Sequence, residues 1–231
     1  MDVSKYQSFA EETLEVSFQD ITLLVTAFTH RSYLNEHKKT AKEHNERLEF
    51  LGDAVLELVV TEYLFLNYSD PEGTLTNWRS SLVKTESIGE VAKQSGFAEL
   101  LRLSRGERRG SERARDQILA NTYEAVVGAI YLDQGYDETK RYIERSLLVT
   151  FDQILKDGSW MDPKSHLQEV AQSQDSHTPV YKVLDEQGPD HEKIFTVGVF
   201  INGQLIAQGS GPSKQAGQVE AAEKALEHYQ S

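Results

Sequence analysis

The chain contains no cysteine. Disulfides and thiolate metal sites are therefore excluded, and the composition fits a reducing compartment. Long hydrophobic runs are also missing: charges interrupt every apolar candidate before the ~18 residues a bilayer-spanning helix needs. The stretch from Met1 to Asp20 is acidic and lacks the basic-then-apolar form of a signal peptide. Together these absences lead us to expect a cytoplasmic chain with no membrane partner. Positive charge is scarce too, with 24 Lys and Arg against 37 Asp and Glu and a net charge of −13. Taken alone, that balance opposes a nucleic-acid partner, because such proteins usually carry a basic footprint. Bound cations and local patches can outweigh the total.

What is present centres on Asn45 to Val60, NERLEFLGDAVLELVV. Glu46, Glu49, Asp53 and Glu57 recur at spacings of three, four and four, which puts them on one face of a helix. Leu48, Leu51, Val55 and Leu58 fall on the other side and give it a core to pack on. One reading is a solvated acidic face. Solvated faces usually interleave Lys or Arg, since like charges at this spacing cost roughly 0.2–0.5 kcal/mol per pair. This stripe has no cation within it. A divalent ion held by carboxylate oxygens would offset the repulsion. Gly52 lowers helix propensity by roughly 1 kcal/mol, which suggests that another backbone or a ligand comes close there.

The run ERLEFLGDAVL resembles the signature of the ribonuclease III endonucleases, which cut double-stranded RNA. The resemblance extends to the start of the chain, where Phe18 to Tyr33 matches the family's pattern ending in T-H-x-S-Y. It implies a catalytic cluster of Glu49, Asp53 and Glu124 with Asn121 in the fourth place. Glu49, Asn121 and Glu124 would bind metal, and Asp53 and Glu124 would carry the catalytic roles. Glu46 and Glu72 match acidic positions further out in the cleft. The expected cofactor is Mg²⁺, with Mn²⁺ as a possible substitute. Asn121 departs from the family's usual Asp: an amide oxygen can still ligate, but the site loses one negative charge. Two outcomes stay open, a natural variant that needs more metal or a weakened or inactive RNA-binding regulator. Glu57 matches no catalytic position and reads as a surface residue. The family works as a homodimer whose two clusters flank the duplex, processing ribosomal and other RNA precursors. Phe50, Val60 and Leu64 are equally suited to the core or to such a dimer.

The rest of the chain reads as follows. Helix is expected over residues 5–36 with a break near Val16 to Asp20, and His30, beside Thr29 and Ser32, reads as a hydrogen-bonded structural group. Residues 67–76, with Pro71 and Gly73, read as a turn or loop. Arg102, Arg105, Arg108 and Arg109 form the strongest basic cluster, either solvated or touching phosphate. Helices over about 113–133 and 137–155 complete an all-helical endonuclease domain at 1–155, followed by a linker at 156–163.

Residues 164–231 read as α-β-β-β-α, with strands at Val180–Asp185, Lys193–Ile201 and Gln204–Gln208. Asn202-Gly203 is a strong hairpin signal. The fold class is thus multidomain, an all-helical domain followed by a small α+β one. This order, with DPKSHLQE and GSGPSKQAGQVEAAEKAL, resembles a double-stranded-RNA-binding domain, which reads A-form shape. The resemblance implies minor-groove contacts from Gln168, Glu169, Gln172 and His191, and a phosphate contact from Lys214. From Trp160 onward ten acids face five lysines and no arginine. Binding by this domain alone is expected to be weak and salt-sensitive.

Overall fold

A computed structural model describes residues 3–37, 42–158, 160–189 and 193–229. The chain divides into two compact units, 1–156 and 157–231. None of its described helices is long and apolar enough to cross a membrane.

Unit 1 is helical among its described residues, with α1 (Ser4–Phe9), α2 (Ile21–Ala27), α3 (Arg31–Glu36), α4 (Glu46–Asn67), α5 (Glu72–Val83), α6 (Thr85–Gln94), α7 (Glu112–Gln134), α8 (Tyr136–Ser146) and α9 (Phe151–Asp157). Helix α1 runs into a π turn at Ala10–Leu14, closed by Glu15 at φ 54°. The expected N-terminal helix therefore breaks twice. The second break lies at Phe28–His30, where the Thr29 carbonyl accepts from Asn45 N–H and the His30 N–H is drawn to the Arg102 carbonyl. The region around Glu72 also differs from the expected loop. Pro71 stands immediately before the helix rather than inside it, a position compatible with its fixed φ, and α5 begins at Glu72. Helix α7 is the axis of the unit. Ser111 Oγ caps it by accepting from the Ala114 N–H, and Ala120, Tyr123, Val126, Val127 and Ile130 bury its length.

Helices α4 and α7 cross unusually closely because two glycines meet there. A Cβ added at Gly52 would lie 1.8 Å from the Glu124 carbonyl oxygen. One added at Gly128 would lie 2.3 Å from the Leu48 carbonyl oxygen. The close approach suggested by Gly52 is thus to backbone, and Gly128, which the sequence pattern does not single out, is its counterpart.

Unit 2 comprises α10 (Pro163–Asp175), strands β1 (Val180–Gln187), β2 (Ile194–Ile201) and β3 (Gln204–Gly211), and α11 (Lys214–Tyr229). The strands form an antiparallel sheet in the order β1-β2-β3. Asp162 caps α10 through the Ser165 N–H, with Pro163 in its first turn. Asn202 (φ 51°) and Gly203 (φ 76°) both take positive φ, as a two-residue hairpin turn that follows the strand twist requires. Val199 and Ile201 point from β2 onto Leu167 and Ala171 of α10 and Ala221, Ala222 and Ala225 of α11. The alanines let the helices lie flat on the sheet.

Candidate metal and nucleic-acid sites

The glycine crossing places Glu49 and Asp53 of α4 beside Glu124 of α7. Glu49 lies three residues before Gly52 and Asp53 directly follows it, while Glu124 contributes the carbonyl that Gly52 packs against. Burial, and then the charges of Asp53 and Glu49, push the Glu124 carboxyl up to about 8. Burial and the charge of Glu46 also raise Glu49, with Asp53 adding to the rise and a hydrogen bond from Asn121 opposing it. Burial is the larger cause of both shifts, and crowded negative charge adds to it.

The acidic stripe is offset at its ends and not in its middle. Glu46 pairs with Arg31 at 3.3 Å, and Glu57 pairs with Arg79 at 3.6 Å, which makes Glu57 the surface residue the sequence suggests. Among the described residues no Lys, Arg or His pairs with Glu49, Asp53 or Glu124. The unmet charge sits where α4 and α7 cross.

Asn121 is held on both sides. Its amide oxygen accepts from Gln117 Nε2 at 2.7 Å, and its side chain hydrogen-bonds Glu49. In this arrangement it braces Glu49, and ligation would require its oxygen to share or release Gln117. Gln117 is a contributor that sequence reasoning missed; its position four residues before Asn121 on α7 is the only sequence signal for it. Glu72, exposed at the start of α5, accepts from Thr76 at 3.0 Å and is not among the charges that raise Glu49 or Glu124.

Does this donor set fit a metal? Among the described residues no three His, Cys, Asp or Glu side chains close around one point as a finished cage. Mg²⁺ does not need one: it keeps several waters and takes only one or two protein carboxylates. Half-buried, unneutralised carboxylates beside an amide are hard oxygen donors of the right kind.

The raised Glu124 has a consequence for stability. Its folded value of about 8 lies above its ordinary 4.5, so between those values the native chain holds more proton there than the unfolded chain. Stability from this group is therefore greatest below pH 4.5 and declines as pH rises through about 8. In chelating buffer, Glu124→Gln is expected to gain in thermal midpoint over the unmodified chain as pH rises from 5 to 9. A difference that stays flat or shrinks with pH would contradict this.

The basic cluster divides. Arg102 turns inward: its guanidinium donates to Thr29 Oγ1 at 3.1 Å and lies over the Tyr33 ring at 4.4 Å. It is a structural clasp, while Arg105, Arg108 and Arg109 stay exposed. His30 is likewise structural, capping α3 with its Nδ1 2.8 Å from Ser32 Oγ. Burial lowers its pKa. The open alternatives for the apolar residues also separate: Val60 and Leu64 are buried in the core, whereas Phe50 is 82% exposed.

In unit 2, Gln168, Glu169 and Gln172 are exposed on α10, opposite the buried Leu167 and Ala171. Lys214 is exposed at the first position of α11. His191 lies outside the described residues.

Comparison with known proteins agrees with both units. Residues 20–151 match the family model described as ribonuclease-III-like, and residues 163–229 match the double-stranded RNA binding motif. The chain is 41% identical over 220 residues to Ribonuclease 3 of Enterococcus faecalis, covering 94% of each chain. It is 42% identical over 228 residues to Ribonuclease 3 of Geobacillus kaustophilus, covering 97% of this chain and 91% of that one. Among solved structures it is similar to the nuclease domain of ribonuclease III from Campylobacter jejuni. There the TM-score is 0.53 and the identity 38%, with 60% of this chain and 96% of that one covered.

Proposed function

Because the chain belongs to the ribonuclease III family, we propose that Glu49, Asp53, Asn121 and Glu124 form the active site with which it cuts double-stranded RNA. It is a divalent-metal-dependent endoribonuclease that acts as a homodimer, its C-terminal unit binding the duplex. The finer assignments are our reading. The ion is Mg²⁺, with Mn²⁺ able to replace it. The endonuclease domain spans 1–155, the linker 156–163 and the RNA-binding domain 164–231. The compartment is the cytoplasm, and precursors of ribosomal and other RNAs are the substrates.

The observation that carries the site is that three carboxyl groups, those of Glu49, Asp53 and Glu124, gather without a cationic partner among the described residues at a crossing where both glycines are needed. Glu49 and Glu124 hold the metal. A divalent ion there would supply an activated water and stabilise charge on the phosphate and leaving oxygen. Asp53, more exposed than either, orients ligands or water, and Glu124 must give up its proton before it can bind a cation. Asn121 keeps Glu49 in place from the neighbouring helix. Glu46 adds negative field at the edge, and Glu72 is an outer acid that does not shift Glu49 or Glu124. The exposed Phe50, with Leu132 (54% exposed) beside the same surface recess, supports an apolar dimer contact. Gln168, Glu169, Gln172 and His191 would touch the minor groove, and Lys214 a phosphate.

Cleavage of a long RNA duplex against Mg²⁺ and Mn²⁺ concentration, for this chain and for Asn121→Asp, tests the reading. Asp restores a charge and a ligand oxygen, so both chains are expected to cut, with the metal midpoint of the unmodified chain the higher. If only the Asp variant cuts while both bind duplex, the chain is an RNA-binding regulator with a disabled site.

A further inference from the structure

The phosphate-gripping end of unit 2 is already paired with a charge of its own chain. Glu186, near the end of β1, stands opposite Phe195 of β2. Its Oε2 lies 3.5 Å from Lys193 Nζ, and its Oε1 lies 3.4 Å from Lys214 Nζ. Both ammonium groups also lie over the Phe195 ring, at 6.0 and 5.6 Å from its centroid. Two lysines from different elements, the lead-in to β2 and the start of α11, are thus gathered at one point, and both remain partly exposed.

The carboxylate between them has the form of the ligand this unit is built for. A carboxylate spreads one negative charge over two oxygens, as a phosphodiester does over its two non-bridging oxygens. A role in holding the fold is a weaker account of the cluster. The start of α11 is already seated on the sheet where Gly217 packs against the Phe195 carbonyl and Glu220 accepts from the Ser210 N–H. Exposed ion pairs add little to stability.

We propose that Lys193 and Lys214 form a single phosphate-binding site for duplex RNA, and that Glu186 occupies it as a built-in competitor that limits affinity. This rests on the reading of unit 2 as the RNA-binding domain, and it adds Lys193 and Glu186 to the residues that set its affinity. RNA must displace Glu186 and then tolerate its charge nearby, so the competitor weakens binding without blocking it.

The test is equilibrium binding of the full-length chain to an RNA duplex in chelating buffer, where no cleavage occurs, across a series of KCl concentrations. Glu186→Gln keeps the shape and removes the charge. It is expected to tighten binding about three- to tenfold and to steepen the salt dependence by up to roughly one unit, the counterion release of one more phosphate contact. Lys193→Ala is expected to make the dependence shallower by roughly one unit. Combined with Glu186→Gln, it should erase most of the gain, as two residues acting through one site must. Binding that Glu186→Gln leaves unchanged or weakens would overturn the competitor. A salt slope unchanged by Lys193→Ala would overturn the two-lysine site. An unmodified chain that binds no duplex even at low salt would overturn the RNA-binding reading as well, so the failures are distinguishable.

Discussion

Glu124→Gln is expected to reduce cleavage of duplex RNA by about a thousandfold while leaving duplex binding intact. The cluster has few carboxylates to spare, since its fourth position is already the neutral Asn121 and, among the described residues, none of the other three pairs with a cation. Removing a ligand forfeits much of what a metal ion contributes to the transition state. A loss of ~4 kcal/mol corresponds to about a thousandfold in rate. Gln has nearly the shape of Glu and is neutral at every pH, so the α4–α7 crossing should survive, and the metal-free chain should be the more stable for it above pH 4.5. Single-turnover cleavage at saturating protein, beside binding in chelating buffer, checks both halves. Retained cleavage would remove Glu124 from the catalytic site.

The second large effect is structural. Gly52→Ala puts a methyl group where the Glu124 carbonyl oxygen stands, 1.8 Å from the new carbon. No rotamer relieves a clash with backbone, so α4 and α7 must move apart. Alanine gains about 1 kcal/mol of helix propensity, but overpacking typically costs 1–3 kcal/mol and more where nothing can yield. We expect a net loss of about 3 kcal/mol, a fall of roughly 6–12 °C in thermal midpoint for a domain of this size. Activity should fall further than stability accounts for, because a shift of ~1 Å between Glu49 and Glu124 can cost about a hundredfold in rate. Gly73→Ala is the control. A Cβ there meets nothing within 4 Å, so melting and cleavage should change little. Equal behaviour of the two variants would contradict the close-crossing account.

What the sequence made legible was mostly local. The spacing of Glu46, Glu49 and Asp53, the burial of Leu48 and Val55 and the Asn202-Gly203 hairpin depend on residues a few positions apart, whereas Leu58, expected on the same buried side of α4, is 57% exposed. The propensity cost of Gly52 announced a close approach, yet what approaches it is the Glu124 carbonyl, more than seventy positions away. Asn121 and Glu124 stand on the same helix as an unremarkable polar pair, and only the family resemblance brought them to the site. Three features escaped for the same reason. Arg102 joins a basic run in sequence but is folded back on Thr29 and Tyr33 from another part of the chain. Gln117 matters only through the orientation of Asn121, and Lys193 only through its meeting with Glu186 and Lys214. The first turn of helix α5, from Glu72, reads in sequence as part of a loop, because Pro71 and Gly73 signal a loop equally well when they flank a helix start.

The central claim is that the carboxylates at the α4–α7 crossing hold the catalytic metal. The most direct test is Mn²⁺ binding by the full-length chain without RNA, followed by electron paramagnetic resonance, for the unmodified protein, Glu49→Gln and Glu124→Gln. Changes to outer partners alone typically weaken metal sites about 10–100-fold, so losing a ligand should weaken Mn²⁺ binding at least tenfold in each variant. Three chains with the same Mn²⁺ affinity would contradict the claim and place the metal elsewhere.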